Sequence, residues 1–429
     1  MLKVLEYPRD RKQLLNLLSR RSIQVKDIER VVQDILNAVS SHGDSAVARF
    51  TREFDKVALK PSQFLVTKDE IDESVARIPK KFMNVLESSA QNIRKFHHRQ
   101  KPKSFRFSAG NESWVGLRYV PVERAGVYVP GGQAAYPSTV LMNVIPAQVA
   151  GVPEIIIVSP PDRNGNVSDV VLAAAHLLGI SSIYKMGGIQ AIAALTCGTK
   201  TISKVNVIVG PGNKYVTAAK KAVMGQVGID SLAGPSEVLI LADEFARADF
   251  IATDMLGQAE HDTDAMSCLV TPSKLLAEKV QKSVDEFLRN AQRNPIITKS
   301  LRAFGRIIIT PDMTRAEEAV NLIAPEHLEI ITKNPSHELK HVHNAGAIFL
   351  GNYSPVAIGD YFAGPNHVLP TSGSARFASP LSVMNFMKAS SVIEYSERKI
   401  ASVADEVAYF AEMEGLFAHA ESIRIRRIK

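Results

Sequence analysis

From Arg124 onward, short uninterrupted apolar runs alternate with stretches of helical periodicity, and this alternation constrains the possible fold most strongly. An apolar run without polar interruptions predicts a strand that is covered on both faces. Helices between such strands predict parallel sheets, because each crossover returns the chain to the same edge. The predicted strands span residues 127–129, 154–158, 183–186, 205–209, 238–241, 267–270, 306–309 and 347–350.

The pattern predicts an α/β protein with two Rossmann-like parallel α/β domains of the incomplete nucleotide-binding type, at residues 121–235 and 236–378. Residues 1–22 are expected to form an N-terminal segment. Residues 23–120 are expected to form a helical region that packs with the second α/β domain. Residues 379–429 are expected to form a helical tail, and a tail appended to finished domains favours docking on a partner subunit.

Composition narrows the class of protein. With 45% hydrophobic residues in 429, the chain can bury a sizeable core. No apolar run reaches transmembrane length and the first residues do not resemble a signal peptide, so we expect a cytoplasmic protein that does not enter membranes. Cys197 and Cys268 lie far apart in apolar surroundings, which predicts two small buried side chains in a reducing compartment.

The net charge of +7 is concentrated in two basic patches, at residues 94–106 and 424–429. Such patches can bind nucleic acid. The tail patch has no interleaved aromatic residues, and no nucleic-acid motif lies near either patch. A solvated face, or attraction for an anionic cofactor, is the favoured interpretation, and we expect no nucleic-acid partner.

Three glycine-rich turns follow predicted strands, after Val129, Met186 and Val209. In parallel sheets ligands bind at the carboxyl ends of strands, where backbone N–H groups suit a phosphate. None of the turns has the G-x-G-x-x-G spacing, and an ordinary connection between strand and helix explains each one equally well. Nearby, Tyr128 could stack on a ring, while Gln190 and Asn213 could hydrogen-bond to polar edges.

Polar residues in the second half form a dispersed set that could bind a metal. Gln258 and His261 are three residues apart at the end of a predicted helix and share one face. Asp360 and His419 could add two ligands, giving a mixed set suited to Zn²⁺ or Mn²⁺. The adjacent acid and imidazole of residues 326–327 are expected in a carboxyl-end loop of the same domain. Spacing alone does not separate this metal site from ordinary surface residues.

The ordered motifs together resemble those of the histidinol dehydrogenases over essentially the full length of the chain. The matching blocks lie at residues 124–132, 190–195, 210–213, 233–237, 258–261, 324–329 and 364–370, followed by Glu414-Gly415-Leu416 and His419. The resemblance implies an NAD-dependent, zinc-containing oxidoreductase of histidine biosynthesis. Such an enzyme oxidises L-histidinol through L-histidinal to L-histidine with two NAD⁺ and one water.

The resemblance also implies roles for individual residues. The general bases would be Glu326 and His327, and one zinc ion per subunit would be bound by Gln258, His261, Asp360 and His419. These four ligands and His327 would contact the substrate together with Ser236, His367 and Glu414, while NAD⁺ would contact Tyr128, Gln190 and Asn213. The implied assembly is an intertwined homodimer with shared active sites. The alternative is a zinc-dependent hydrolase with Glu326 as the general base.

Overall fold

The computed structural model describes residues 2–20, 28–131 and 136–427. Gly132, in the first glycine-rich turn, lies outside these residues. The chain forms two compact units. One unit comprises Met1–Gln100 and Glu123–Phe386, and the other comprises Lys101–Val122 and Met387–Lys429.

The strands are numbered in chain order. They are β1 (Lys3–Glu6), β2 (Phe105–Gly110), β3 (Ser113–Pro121), β4 (Arg124–Tyr128), β5 (Glu154–Ser159), β6 (Ile183–Lys185), β7 (Val207–Val209), β8 (Gly228–Ile229), β9 (Glu237–Ala242), β10 (Met266–Thr271), β11 (Arg306–Ile309), β12 (His327–Ile331), β13 (Ala347–Leu350) and β14 (Met387–Glu394).

The α-helices are numbered in the same way. They are α1 (Arg11–Ser19), α2 (Glu29–His42), α3 (Asp44–Phe50), α4 (Lys68–Arg77), α5 (Lys80–His98), α6 (Pro137–Ala150), α7 (Asp169–Leu177), α8 (Gly188–Cys197), α9 (Lys214–Val223), α10 (Ala248–Ala259), α11 (Lys274–Leu288), α12 (Asn294–Phe304), α13 (Met313–Ile323), α14 (Pro335–Glu338), α15 (Val356–Tyr361), α16 (Glu397–Met413) and α17 (Phe417–Arg424).

The first parallel sheet has the order β6-β5-β4-β7-β8. The direction of the strand order reverses between β4 and β7, which is the position where open α/β sheets bind ligands. Helices α8 and α9 pack with α2, and their apolar side chains form one continuous core with those of β5 and β7. Gly210, in the turn after β7, lies at this edge against the backbone of Tyr128 at the end of β4.

The second parallel sheet has the order β1-β11-β10-β9-β12-β13. Apolar cores lie on both of its faces, one with side chains of α10, α11 and α12 and the other with side chains of α1 and α13. The prediction of two parallel α/β sheets is confirmed. Strands β1 and β12 were not predicted, and β12 is an interior strand of the sheet, between β9 and the edge strand β13.

The smaller unit contains an antiparallel sheet of order β14-β3-β2, followed by α16 and α17, which pack on each other. The prediction that residues 23–120 and 379–429 are helical is therefore wrong where these strands form. Most residues of β2 and β14 are exposed, so these strands lack the uninterrupted apolar runs by which the others were found. The proposed domain boundaries stay predictions.

The two cysteines differ in environment. Cys268 is buried in β10, as predicted, and its Sγ lies 3.6 Å from the carbonyl oxygen of Phe304. Cys197 is exposed at the last residue of α8, so the prediction that it is buried is wrong. Among the described helices, none is long and apolar enough to cross a membrane.

Candidate active site

Glu326 and His327 lie where α13 ends and β12 begins. Helix α13 ends at Ile323, and Ala324 adopts a left-handed conformation with φ of 50°. His327 then pairs with Val238 of β9 and Ala347 of β13. Both side chains are thus at the amino end of the second sheet, and the expectation of a carboxyl-end loop is wrong, because the run beginning at His327 is itself a buried strand.

Two donors at the start of β9 hold the Glu326 carboxylate. The hydroxyl of Ser236 and the backbone N–H of Glu237 each donate a hydrogen bond of 2.7 Å to Oε2. The side chain is buried, with 6% of the residue exposed. A buried carboxylate with two donors is fixed in position, so Glu326 can present its second oxygen in a defined direction.

His327 is oriented by the backbone of β9. Its Nδ1 lies 2.9 Å from the carbonyl oxygen of Glu237. A carbonyl only accepts, so Nδ1 carries a proton and the lone pair of the neutral ring is on Nε2. Nε2 is buried without a hydrogen-bond partner among the described residues and lies 3.9 Å from Oδ1 of Asp360. This nitrogen is therefore the ring's proton acceptor.

The two side chains shift each other's pKa. Burial alone would raise the pKa of Glu326, but the charge of His327, 3.4 Å away, and the hydrogen bonds to the carboxylate lower it. Burial alone would lower the pKa of His327, but the Glu326 carboxylate raises it to about 9. Glu326 is therefore ionised at neutral pH and can accept a proton, whereas His327 is protonated below about pH 9 and accepts a proton only in its neutral form.

A cavity of about 430 Å³ lies in front of His327. Asp360 from α15 and His367 from the following loop line it. Nε2 of His367 is buried without a partner among the described residues, and burial lowers the pKa of this ring, which favours the neutral form. Asn366 holds the adjacent backbone through hydrogen bonds to the carbonyl of Met142 and the N–H of Val368. The cavity thus combines an acid with two imidazoles.

Gln258 and His261 lie at and just beyond the end of α10. Gln258 is 3% exposed, and its Nε2 has no hydrogen-bond partner in the described parts of the chain. His261 is exposed and lines a second cavity, of about 400 Å³, together with Tyr361, the residue after Asp360. An amide, an imidazole and a carboxylate are suitable ligands for Zn²⁺ or Mn²⁺. The residue types fit the ion that the sequence implies.

Glu414 and His419 belong to the smaller unit. Glu414 follows α16 and His419 lies on α17, and both line one groove of about 500 Å³ with Phe410 and Leu416. Both side chains are exposed. The fold of the smaller unit therefore brings Glu414 and His419 to the same groove.

The residues predicted to contact NAD⁺ lie near the carboxyl edge of the first sheet. The hydroxyl of Tyr128 accepts a hydrogen bond of 3.2 Å from the N–H of Gly188, and burial raises the pKa of this phenol to about 12. Gln190 is fully buried in α8. Asn213 is exposed and caps α9, accepting from the N–H groups of residues 215 and 216. A Cβ on Gly210 would lie 2.1 Å from the carbonyl oxygen of Tyr128, which explains the glycine.

Sequence reasoning missed several polar residues near these sites. Asp55 accepts a hydrogen bond of 3.3 Å from Nε2 of Gln190, 135 positions later, and burial raises its pKa to about 6. Glu329, on β12, forms a carboxyl pair with Asp254 of α10. Nothing local in the sequence marks these pairs. A buried acid in the middle of an apolar run is the one signal that could have identified Glu329.

Comparison with known proteins identifies the family. Residues 18–427 match the family model described as histidinol dehydrogenase. The curated histidinol dehydrogenase of Carboxydothermus hydrogenoformans is 48% identical over 417 residues, covering 97% of this chain and 98% of the relative. That of Bacillus subtilis is 48% identical over 409 residues, covering 95% of each.

A solved structure has the same fold. The crystal structure of histidinol dehydrogenase from Elizabethkingia anophelis is 36% identical, with a TM-score of 0.94, and the match covers 99% of this chain and 98% of that chain. The match therefore includes both parallel sheets and the tail. On the family model, the curated relatives and this structure together, the chain belongs to the histidinol dehydrogenase family.

Proposed function

We propose that the protein oxidises L-histidinol through L-histidinal to L-histidine, using two NAD⁺ and one water, with a bound zinc ion. The observation that carries the proposal is the buried Glu326–His327 pair at the amino end of β12, of which His327 lines a cavity together with Asp360 and His367. Two proton acceptors of different chemistry beside one cavity suit two successive oxidations of one substrate.

In the first oxidation, the neutral ring of His327 accepts the hydroxyl proton of the alcohol as hydride leaves the carbon. Because the pKa of this ring is raised to about 9, the neutral form prevails only above that pH. Its Nδ1 is bound to the Glu237 carbonyl, so Nε2 is the nitrogen available to the substrate. NAD⁺ supplies the hydride acceptor when bound. The hydrogen bond from Nδ1 of His327 to the Glu237 carbonyl keeps the neutral ring in one tautomer. Nε2 therefore points in the same direction throughout the reaction.

In the second oxidation, Glu326 accepts a proton from the water that adds to the aldehyde. Its lowered pKa keeps the carboxylate ionised, and the two donors to Oε2 fix its direction. The hydrated aldehyde then has a hydroxyl group, and it loses hydride and a proton as the alcohol did. The assignment of one base to each oxidation explains why the acid and the imidazole are adjacent.

Gln258, His261, Asp360 and His419 are proposed to bind the zinc ion, which when bound holds the imidazole and amine of the substrate. Ser236, His367 and Glu414 are proposed to contact the substrate, and Tyr128, Gln190 and Asn213 to contact NAD⁺. The donor types suit Zn²⁺ and also Mn²⁺. Unpartnered Nε2 atoms on His327 and His367 support a polar ligand in the cavity, since buried nitrogens without partners are costly.

The active protein is proposed to be a cytoplasmic, intertwined homodimer in which the tail of one subunit completes the active site of the other. The support is the apolar surface of the smaller unit. Aromatic and aliphatic side chains of α16 and α17 are largely exposed, namely Tyr409, Phe410, Met413 and Phe417. Exposed apolar surface of this kind is typical of an interface, and a twofold axis pairs such surfaces between identical chains.

Formation of NADH from histidinol and NAD⁺ tests the dehydrogenase activity. We expect zinc-loaded protein to produce two NADH per histidinol, and the protein with metal removed by a chelator to produce none until zinc is restored. Zinc-loaded, folded protein that forms no NADH would overturn the proposal. Formation of one NADH per substrate would overturn the four-electron reaction alone.

A further inference from the structure

Two histidines and two glutamates converge on the surface beyond the carboxyl end of β12. His337 and Glu338 lie on α14, His341 lies on the 3₁₀ turn that follows, and Glu317 lies on α13. One ligand atom from each of His337, Glu338 and His341 lies within 4.8 Å of the other two. These residues line neither cavity beside the candidate active site, and the proposed reaction does not use them.

The two imidazoles have the spacing of a metal-binding pair. His337 and His341 are four residues apart along one helical turn, with ring centroids 5.0 Å apart. Both side chains are about half exposed, at 58% and 47%, so an ion can reach them from solvent. Residues four apart on a helical turn share a face, so both rings can turn toward one point.

A carboxylate already orients one of the rings. Oε1 of Glu317 lies 2.9 Å from Nδ1 of His341, which leaves Nε2 of that ring for an ion. Metal-binding histidines commonly donate their other nitrogen to a carboxylate in this way. Glu317 is largely buried, so this contact is held by the packing of α13.

The cluster also concentrates negative charge. The acidic side chains of Glu317 and Glu338 interact with each other, and Glu338 is largely buried, with 12% of its side chain exposed. Like charges in contact are unfavourable in a partly buried place. A divalent cation beside Glu338 would offset this repulsion.

We propose that His337, Glu338 and His341 form a second metal site, for a divalent transition ion such as Zn²⁺, with Glu317 as a positioning residue for His341. Two imidazoles and one carboxylate suit a borderline ion. The fourth position is open to water. The bound ion connects α14 and the following turn to each other and, through Glu317, to α13, so it stabilises this surface and takes no part in the oxidation.

Zinc binding to the full-length holoenzyme tests the site. Equilibrium dialysis against Zn²⁺ followed by elemental analysis should give one zinc per chain fewer for His337→Ala/His341→Ala than for the wild type. His343→Ala, which removes another exposed histidine two residues away, should bind as much zinc as the wild type. The double variant should form NADH at the wild-type rate, since it leaves the candidate active site unchanged.

A second variant separates positioning from ligation. Glu317→Gln keeps all three ligands but loses the carboxylate on His341, and we expect it to weaken zinc binding at this site by roughly 10-fold or more. Added zinc should raise the Tm of the wild type by more than it raises the Tm of the double variant. Equal zinc content in the wild type and the double variant would overturn the proposal.

Discussion

At the scale of single residues, Glu326 depends on groups that are distant in sequence. Its two hydrogen-bond donors, at Ser236 and Glu237, lie about ninety positions earlier in the chain. His327 depends on the carbonyl of Glu237 in the same way. The start of β9 thus orients both candidate bases, and small changes there should affect catalysis more than stability.

Glu326→Gln tests the assignment of one base to each oxidation. The amide has nearly the shape of the carboxylate but cannot take a proton from water. We expect histidinal oxidation to fall by about 10²–10⁴-fold, and histidinol oxidation to fall much less, because His327 remains. Separate NADH assays with each substrate measure the two effects. Equal losses in both would contradict the assignment.

Gly346→Ala tests the backbone support of Glu326. A Cβ at this position would lie 2.6 Å from the carbonyl oxygen of Glu326, so the backbone before β12 must move. We expect a loss of about 1–3 kcal/mol in the free energy of unfolding, measured by denaturant titration, with a fall in kcat for both oxidations.

Gly257→Ala is the matched control for the same change of one methyl group. Gly257 lies within α10, and a Cβ there meets no atom within 4 Å apart from the adjoining backbone of its own helix. Alanine is favoured over glycine in a helix by roughly 0.5–1 kcal/mol, so this variant should be as stable as the wild type or more stable. If both glycine variants were equally stable, the close approach of residue 346 to the Glu326 carbonyl would not be what requires a glycine there.

At the scale of elements, Glu329 links three segments that carry candidate site residues. It lies two positions after His327 on β12, and its Oε1 accepts a hydrogen bond of 2.9 Å from the N–H of Val356 at the start of α15. Asp254, its carboxyl partner, lies on α10. Burial, together with the charge of Asp254, raises the pKa of Glu329 to about 8.

This raised pKa makes stability depend on pH. The folded chain holds the Glu329 proton more tightly than the unfolded chain, so the free energy of unfolding falls as pH rises from about 4.5 to about 8. Glu329→Gln keeps a side-chain oxygen that accepts from the N–H of Val356, but the side chain no longer titrates. We expect the stability of the wild type relative to this variant to fall by about 1–2 kcal/mol between pH 6 and 7.5.

Denaturant titrations at the two pH values measure this difference. Glu278→Gln, an exposed position on α11, is the control and should show no change relative to the wild type. A difference in stability between the wild type and Glu329→Gln that does not vary with pH would contradict the raised pKa of Glu329.

Elements with uninterrupted apolar runs could be predicted from sequence, and others could not. Residues 154–158 and 238–241 were predicted as strands and lie within β5 and β9. The run of β12 is divided by Glu329, whose partner Asp254 is invisible to local patterns. The exposed strands of the smaller unit give no apolar run at all.

The candidate site was partly predictable for a related reason. The residue types of Glu326 and His327 indicated acid–base chemistry, and the ordered motifs indicated the family. Sequence patterns did not indicate that both lie at the amino end of the sheet, since this follows from the pairing of β12 with β9. Asp55 was missed because its partner Gln190 is 135 positions away.

At the scale of the whole molecule, the proposed site residues are divided between two compact units. Glu414 and His419 lie in the smaller unit, and the candidate bases lie in the larger one. An enzyme whose subunits exchange tails would complete each site with residues from both chains.

Mixing two inactive variants tests this exchange. We expect His327→Asn and His419→Asn each to be inactive alone. After subunit exchange, a mixed dimer would contain one site with both histidines intact, so activity should recover to roughly a quarter of the wild-type value for statistical mixing. The measurement is NADH formation after mild denaturation and refolding of the mixture.

Each variant refolded by itself should recover no activity. This sample controls for the effect of denaturation and refolding. Absence of recovery in the mixed sample, with exchange demonstrated by a tagged subunit, would place His419 in the active site of its own chain.

The insertion of β12 between β9 and β13 has a consequence for the order of folding. Strands β4, β5 and β6 of the first sheet follow one another in the chain, are neighbours in the sheet and can pair early. β12 must return past β10 and β11 to reach β9, which closes a loop of about ninety residues. During refolding, activity should therefore return only after β12 has paired with β9. We expect it to return later than the circular-dichroism signal of the helices.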